Sequence, residues 1–190
     1  MIENLINFDK TLFIYLNNLN VEKLDFFWIF LSSKTQMFAF IIFCLLVNLY
    51  QLKLKQKISI ILFCLICVGL SDFLHVILFK NYFLRLRPCW ESDILTQIRP
   101  LVVDCGGYYG FISGHAANSS AIATFLILIF NKMNVFFRYA LLIWVLLVSF
   151  SRIPLGKHYP ADIIFGILFG YIVASIVFRL YSLYKKHYLL

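Results

Sequence analysis

Three short clusters in this chain carry residue types suited to one kind of chemistry. The first is Lys80-x6-Arg87-Pro88, the second Ser113-Gly114-His115, and the third Ser151-Arg152-x5-His158-x3-Asp162. Arginine offers a planar fork that grips an anion through two parallel hydrogen bonds, and lysine a compact point charge. Ser113 and Gly114 stand where a helix would begin, and the N–H groups of a helix N-terminus point at an anion. Gly114 has no Cβ, so backbone can come close to a bound group. Lys80, Arg87, Ser113, Gly114 and Arg152 together read as a phosphoryl-binding set, able to stabilise the charge that builds in the transition state.

Two histidines supply reactivity. His158 precedes Asp162 by four residues, with Pro160 suited to the first helical turn between them. At that spacing the carboxylate is expected to accept a hydrogen bond from one ring nitrogen and leave the other free to attack. His115 is placed to protonate a departing alkoxide and then to deprotonate the hydrolytic water. The scheme calls for no metal and no cofactor. Each residue also has a plainer role open to it. The cations suit snorkelling anchors, and Arg152 with Asp162 suits a structural ion pair.

The elements that must position these groups are membrane spans. Apolar residues make up 62% of the 190 and charged residues 14%, against about 45–50% and about 25% in soluble domains. Apolar runs at 36–52, 58–79, 111–130, 135–150 and 163–180 each approach the length of a spanning helix. Ahead of them, 5–19 has apolar positions at helical spacing broken by polar ones, and 24–31 is a second short apolar piece. Both are expected to lie at the membrane interface. The prediction is an all-α integral-membrane bundle of about five full spans plus N-terminal interfacial helices. It is one domain over 1–190, with 1–35 interfacial, 36–182 the bundle and 80–110 an outer catalytic loop. The first 20 residues show no cationic start and no cleavage site, so the first span is expected to act as its own insertion signal.

Charge sets the orientation. Lys53, Lys55 and Lys57, then Lys132 and Arg138, then Arg179, Lys185 and Lys186 follow alternate spans with no acidic residue among them. Short basic loops stay cytoplasmic, which sends all three polar clusters to the opposite face. The cations there (Lys80, Arg85, Arg87, Arg99, Arg152 and Lys157) run against the bias and suggest a task other than topology. The net charge of +8 forms no basic stripe of the kind nucleic acid requires.

Cys44, Cys64 and Cys67 lie within spans and read as small buried residues. Cys89 and Cys105 both fall in the outer loop, where an oxidising compartment permits a disulfide. Gly166 and Gly170 form a G-x-x-x-G pair suited to close helix packing inside the bundle. Asp72 and His75 lie one turn apart within the second span. Ionisable residues there are functional candidates, and an interhelical supporting pair is the favoured reading.

The three clusters, in order and at fixed spacing, resemble the type-2 phosphatidic acid phosphatase superfamily, the membrane lipid-phosphate phosphatases. The stretches Arg85-Leu86-Arg87-Pro88-Cys89 and Cys105-Gly106-Gly107, with His115-Ala116-Ala117-Asn118-Ser119, are similar to its compact bacterial branch. Ile112 stands where the family pattern has proline. The resemblance implies His158 as nucleophile, Asp162 as its partner and His115 as acid/base, with the five phosphate-binding residues above holding the substrate. It implies a membrane lipid phosphate as substrate, other membrane lipids as surroundings and an active site facing the periplasm or exterior of a bacterial inner membrane. Undecaprenyl diphosphate is the favoured substrate, with lipid A phosphates, phosphatidylglycerol phosphate and phosphatidate as alternatives. A lipid-phosphate transporter would need polar residues continuing across the midplane. The related vanadate haloperoxidases are soluble, unlike this composition.

Overall fold

The computed structural model describes residues 2–99, 101, 104–130 and 134–188. Helix α1 is Ile2–Asn18, α2 Asp25–Leu31, α3 Lys34–Leu49 and α4 Leu54–His75. A π turn, Val76–Lys80, joins α4 to the short α5, Asn81–Phe83. After the one-turn α6, Ser92–Leu95, come α7 Gly114–Ile129, α8 Val135–Phe150 and α9 Pro160–Tyr188. Among the described residues the only extended pairing is a bridge between Leu86 and Tyr109. The fold is an all-α membrane bundle.

Local chemistry sets the helix starts. Ser33 accepts from the Gln36 N–H at 3.2 Å and Asn134 from the Phe136 N–H at 2.8 Å, satisfying donors that a helix leaves open. Pro160, with its fixed φ and no N–H, opens α9. Leu84, at φ 48°, ends α5 in the left-handed region and turns the chain into the outer loop.

The five expected spans correspond to α3, α4, α7, α8 and α9, but their lengths differ from expectation. Among the described residues two helices are long and apolar enough to cross: Leu54–Phe83 and Pro160–Tyr188, of 30 and 29 residues. The segments Glu22–Leu31 and Lys34–Leu49 pass that test only when taken together and are bent by 60° at the break between them, the geometry of a broken span or a re-entrant loop. Helices α7 and α8 have 16 residues each, about 24 Å at 1.5 Å per residue, short of a full hydrocarbon thickness. The N-terminus of α7 stops at the polar cavity described below. Lys132, expected in the connection between α7 and α8, lies outside the described residues.

Helix α7 is central. Its buried Ala121, Ile122 and Phe125 pack with Cys64 and Cys67 of α4, Trp144 and Val148 of α8, and Val173 and Val177 of α9. Its closest neighbour is α9, and glycines make that approach possible. A Cβ on Gly170 would lie 2.2 Å from the Ala117 carbonyl oxygen, and one on Gly166 would lie 2.7 Å from that of Ser113. The G-x-x-x-G pair thus packs inside the bundle. Outward positions such as Leu46, Leu65, Phe73, Leu146, Leu168 and Ile172 are exposed, an apolar belt suited to lipid.

Helix α1 also packs one face against the bundle. Phe13 is fully buried in a second cluster with Ile94, Ala116, Ile153, Tyr159 and Ile163. It meets the Tyr159 ring edge-on at 5.2 Å. Asn17 donates to the Ile153 carbonyl at 2.9 Å and accepts from the Arg99 N–H at 3.0 Å. The polar residues that interrupt the apolar pattern of α1 are thus partners for the outer loops.

Candidate active site

A cavity of about 730 Å³ opens where α4 ends and α7 and α9 begin. Lys80, Arg87, Gly114, His115, Arg152 and His158 all line it. The polar clusters, separated by tens of residues, therefore contribute to one chamber.

Arg87 and Arg152 are held by the local fold. Arg87 follows the Leu86–Tyr109 bridge, and its backbone N–H donates to the Tyr108 carbonyl at 3.0 Å. Its guanidinium donates from Nε to the Tyr109 carbonyl at 3.3 Å and from Nη1 to the Cys105 carbonyl. Cys105 is joined to Cys89 by a disulfide, with Cα atoms 6.1 Å apart, so the bridge ties down a loop that seats Arg87. Arg152 is buried and donates from Nη1 to the Ser32 hydroxyl. Burial and the nearby Arg87 lower its pKa to about 9, which leaves it charged at neutral pH. Burial likewise lowers that of Arg87. Positive groups crowded together and out of water form a site ready for an anion.

His115 stands in the first turn of α7, with Nε2 3.1 Å from the Ser32 carbonyl. A carbonyl only accepts, so that nitrogen carries the proton. His158 is 2% exposed. Burial, followed by the charges of Arg152, Arg87 and Lys80, holds its imidazole well below the usual histidine range. It is therefore neutral, with a lone pair available.

Asp162 lies behind His158 and is fully buried. Its Oδ2 stands 3.5 Å from His158 Nδ1, a looser approach than the hydrogen bond the four-residue spacing suggests. The reason is competition. Oδ2 also accepts the Tyr159 N–H at 3.0 Å, and Oδ1 accepts from Arg85 Nη1 at 2.9 Å. The ion-pair partner of Asp162 is thus Arg85 and not Arg152. Arg85 reaches further, donating from Nη2 to Asp9 of α1 at 2.7 Å, and its guanidinium sits 4.0 Å above the Tyr159 ring. Asp9 in turn accepts the Ala161 N–H at 2.9 Å. Burial opposes the Arg85 charge, but Asp162 and Asp9 outweigh it and raise its pKa above the ordinary arginine value.

Other expected residues are placed differently. Ser113 is fully buried and does not line the cavity. Its side chain caps α7, facing the Ala116 N–H at 3.5 Å, and its backbone N–H donates to the Asp162 carbonyl at 2.9 Å. It positions the helix start instead of reaching the chamber. Arg99 pairs with Asp25 through two 2.8 Å bonds and takes no part in the chamber. Asp72 and His75 do not pair with each other. Asp72 accepts from Asn118 at 2.9 Å, an interhelical bond, and both Asp72 and His75 line the cavity.

Relatives match the same region. The pattern of the PAP2 superfamily fits residues 61–186, two-thirds of the chain and all three clusters. The chain belongs to the PAP2 superfamily. This PAP2 protein is 33% identical over 187 residues to the lipid A 4'-phosphatase of Porphyromonas gingivalis, covering 98% of this chain and 78% of that one. It is 27% identical over 174 residues to the undecaprenyl-diphosphatase of Sulfolobus acidocaldarius, covering 88% and 76%. Among solved structures, the transmembrane PAP2-type phosphatidylglycerolphosphate phosphatase of Bacillus subtilis superposes with a TM-score of 0.72 at 17% identity, covering 97% of this chain and 89% of that one. The PAP2 chain described here is accordingly an integral-membrane phosphatase acting on a lipid phosphate.

Sequence reasoning missed Asp9, Arg85 and Ser32. Arg85 lies two residues before Arg87 and had a visible signal as one more cation on the disfavoured face. Asp9 offered a weaker one, a lone carboxylate on the polar side of an amphipathic helix. Ser32 had only the break between two apolar runs.

Proposed function

We propose that the protein hydrolyses a lipid phosphomonoester through a phosphohistidine on His158. The observation that carries this reading is the convergence of His158, His115, Lys80, Arg87 and Arg152 on one chamber, with Asp162 behind His158. The three cations hold the non-bridging oxygens. The neutral His158 attacks phosphorus with the nitrogen turned away from Asp162, and the bond from phosphorus to the lipid oxygen breaks. Phosphate charge in the chamber favours the imidazolium form of His115, which protonates the departing oxygen. His115, neutral again, accepts a proton from water as that water attacks the phosphohistidine and frees inorganic phosphate. Asp162 and Tyr159 keep the His158 ring in place.

A lipid A-type phosphomonoester is the favoured substrate, supported by the relative at 33% identity over nearly the whole chain. Undecaprenyl diphosphate, the expectation from sequence, is the second reading and rests on the more distant undecaprenyl-diphosphatase. A transporter finds less support. Beyond Asp72 and Asn118 the cavity wall is Phe38, Ile41, Val68 and Gly69, with no polar path continuing. We read the site as facing the periplasmic or exterior side, because Lys53, Lys55 and Lys57 at the start of α4 and Lys185 and Lys186 at the end of α9 lie at the other end of those helices, and short Lys-rich segments stay cytoplasmic.

The test is chemical trapping. Detergent-solubilised protein incubated with a lipid monoester labelled in its phosphate should acquire label that is lost in acid and stable in alkali. His158→Ala should take up no label and release no phosphate. Wild-type turnover in that variant would refute the assignment.

A further inference from the structure

Three polar side chains of the cavity take no part in this reaction. Asp72, His75 and Asn118 stand between the cationic end and an apolar end formed by Met37, Phe38 and Ile41 of α3 with Val68 and Gly69 of α4. Val68, Asp72, His75 and Val76 follow helical spacing, so they form one stripe on α4. Asp72 precedes Lys80 by eight residues, about 12 Å along a helix. A carboxylate at that depth in a spanning helix is costly, and such groups serve function.

The stripe offers acceptors. His75 Nδ1 lies 3.1 Å from the Ser71 carbonyl, so Nδ1 carries the proton and Nε2 keeps its lone pair. Nε2 faces Gly114, where an added Cβ would sit 2.8 Å away. Asn118 donates through Nδ2 to Asp72 Oδ1 at 2.9 Å, while its own Oδ1 is buried with no partner among the described residues. Asp72 itself is exposed to the chamber. Lys34 also lines the cavity, but α3 begins there beside Ser32, at the level of His115 and Arg152. Asp72 and Asn118 therefore stand deeper than the cations, and His75, packed against Gly114, stands at the junction between them.

We propose that Asp72, His75 and Asn118 form a headgroup subsite selecting a phosphomonoester borne on a donor-rich group, a hydroxylated or N-acylated sugar, over a lipid diphosphate. Sugar hydroxyl and amide N–H groups match the acceptors, and the depth of the stripe fits a headgroup between phosphate and acyl chains. A second phosphate near the Asp72 carboxylate meets like charge, a device that favours one ligand by penalising another. The glycerol esters of phosphatidate offer only acceptors and gain nothing there. This inference rests on the phosphatase reading above and deepens it.

The experiment compares kcat/KM for three substrates: a phosphorylated N-acylglucosamine lipid, phosphatidate and a polyprenyl diphosphate. Asp72→Ala should lower the ratio of sugar phosphate to phosphatidate by about 10-fold, as for a lost hydrogen bond to a charged group. Asp72→Asn, which removes the charge and keeps an acceptor, should raise the ratio of polyprenyl diphosphate to phosphatidate by at least about 3-fold. If both Asp72 variants change all three substrates equally, the subsite is overturned while the phosphatase reading stands. If the wild type releases phosphate from none of the three, both fall together.

Discussion

Replacing Arg85 with alanine strips two carboxylates of their shared partner. Asp162 is fully buried, and the side chains of Asp9 and Arg85 are 11% and 20% exposed. Removing one member of a buried ion pair costs about 3–5 kcal/mol, because the other charge is left uncompensated. Both carboxylates keep a backbone donor, Asp162 from Tyr159 at 3.0 Å and Asp9 from Ala161 at 2.9 Å. That places the expected loss near the lower end, about 3 kcal/mol. For a chain of this size the loss corresponds to a Tm lower by about 6–12 °C. Activity suffers separately. Asp162 released from Arg85 no longer holds its place behind His158, and misplacement of a reacting group by about 1 Å costs on the order of 100-fold in rate. The assay pairs thermal unfolding in detergent with phosphate release, and adds Asp9→Ala and the double variant. Asp9 and Arg85 are in contact, so the two losses should fail to add by about 1 kcal/mol or more. Arg85→Lys should recover part of the stability, since one ammonium can serve one carboxylate. Strict additivity, or an Arg85→Ala variant with unchanged Tm and kcat, would refute the idea that α1 braces the active site through this arginine.

Acidification should destabilise the protein in a defined window. His158 is held neutral by burial and neighbouring cations, with its folded pKa well below the ordinary 6.5. Below pH 6.5 the unfolded chain therefore binds a proton that the native site refuses. Stability is present above 6.5 and falls with pH, by up to about 1.4 kcal/mol per pH unit for one group. Melting curves from pH 7.5 to 5.5 should show a shallower slope for His158→Gln than for the wild type. Reducing the Cys89–Cys105 bridge, or Cys89→Ser, should cost about 3 kcal/mol for a loop of this length. It should also raise KM more than it lowers kcat, since the Cys105 carbonyl is a seat for Arg87; unchanged KM would separate the bridge from substrate binding. Phosphate release should persist in EDTA, because Lys80, Arg87 and Arg152 supply the positive charge a metal would bring. A strict metal requirement would count against the proposed reaction.

Much of this protein is legible in the sequence because its constraints are local. Lipid forces backbone hydrogen bonds to close within each span, so apolar runs alone located α3, α4, α7, α8 and α9. Fixed spacing within short segments identified Lys80 to Arg87, Ser113 to His115 and Arg152 to Asp162. Alternation of basic loops placed those segments at one end before any coordinate was known. Span length was less legible: α7 and α8 have 16 residues each, shorter than a full crossing.

Tertiary structure alone decided who partners whom. Asp9 meets an arginine 76 positions away, and Ser32 meets His115 and Arg152 at separations of 83 and 120. No periodicity records such pairs. Asp162 was expected to partner His158, with an ion pair to Arg152 as the plainer alternative, and is shared with Arg85 and Tyr159, because a carboxylate has two oxygens and each takes whatever donor the packing brings. Ser113 was expected to hold phosphate; in the structure its hydroxyl is buried and faces the open Ala116 N–H at the start of α7. Residue type and local spacing determine which groups can react; the packing of α1, the α2–α3 bend and the outer loop around them determines which do and which hold the others in place.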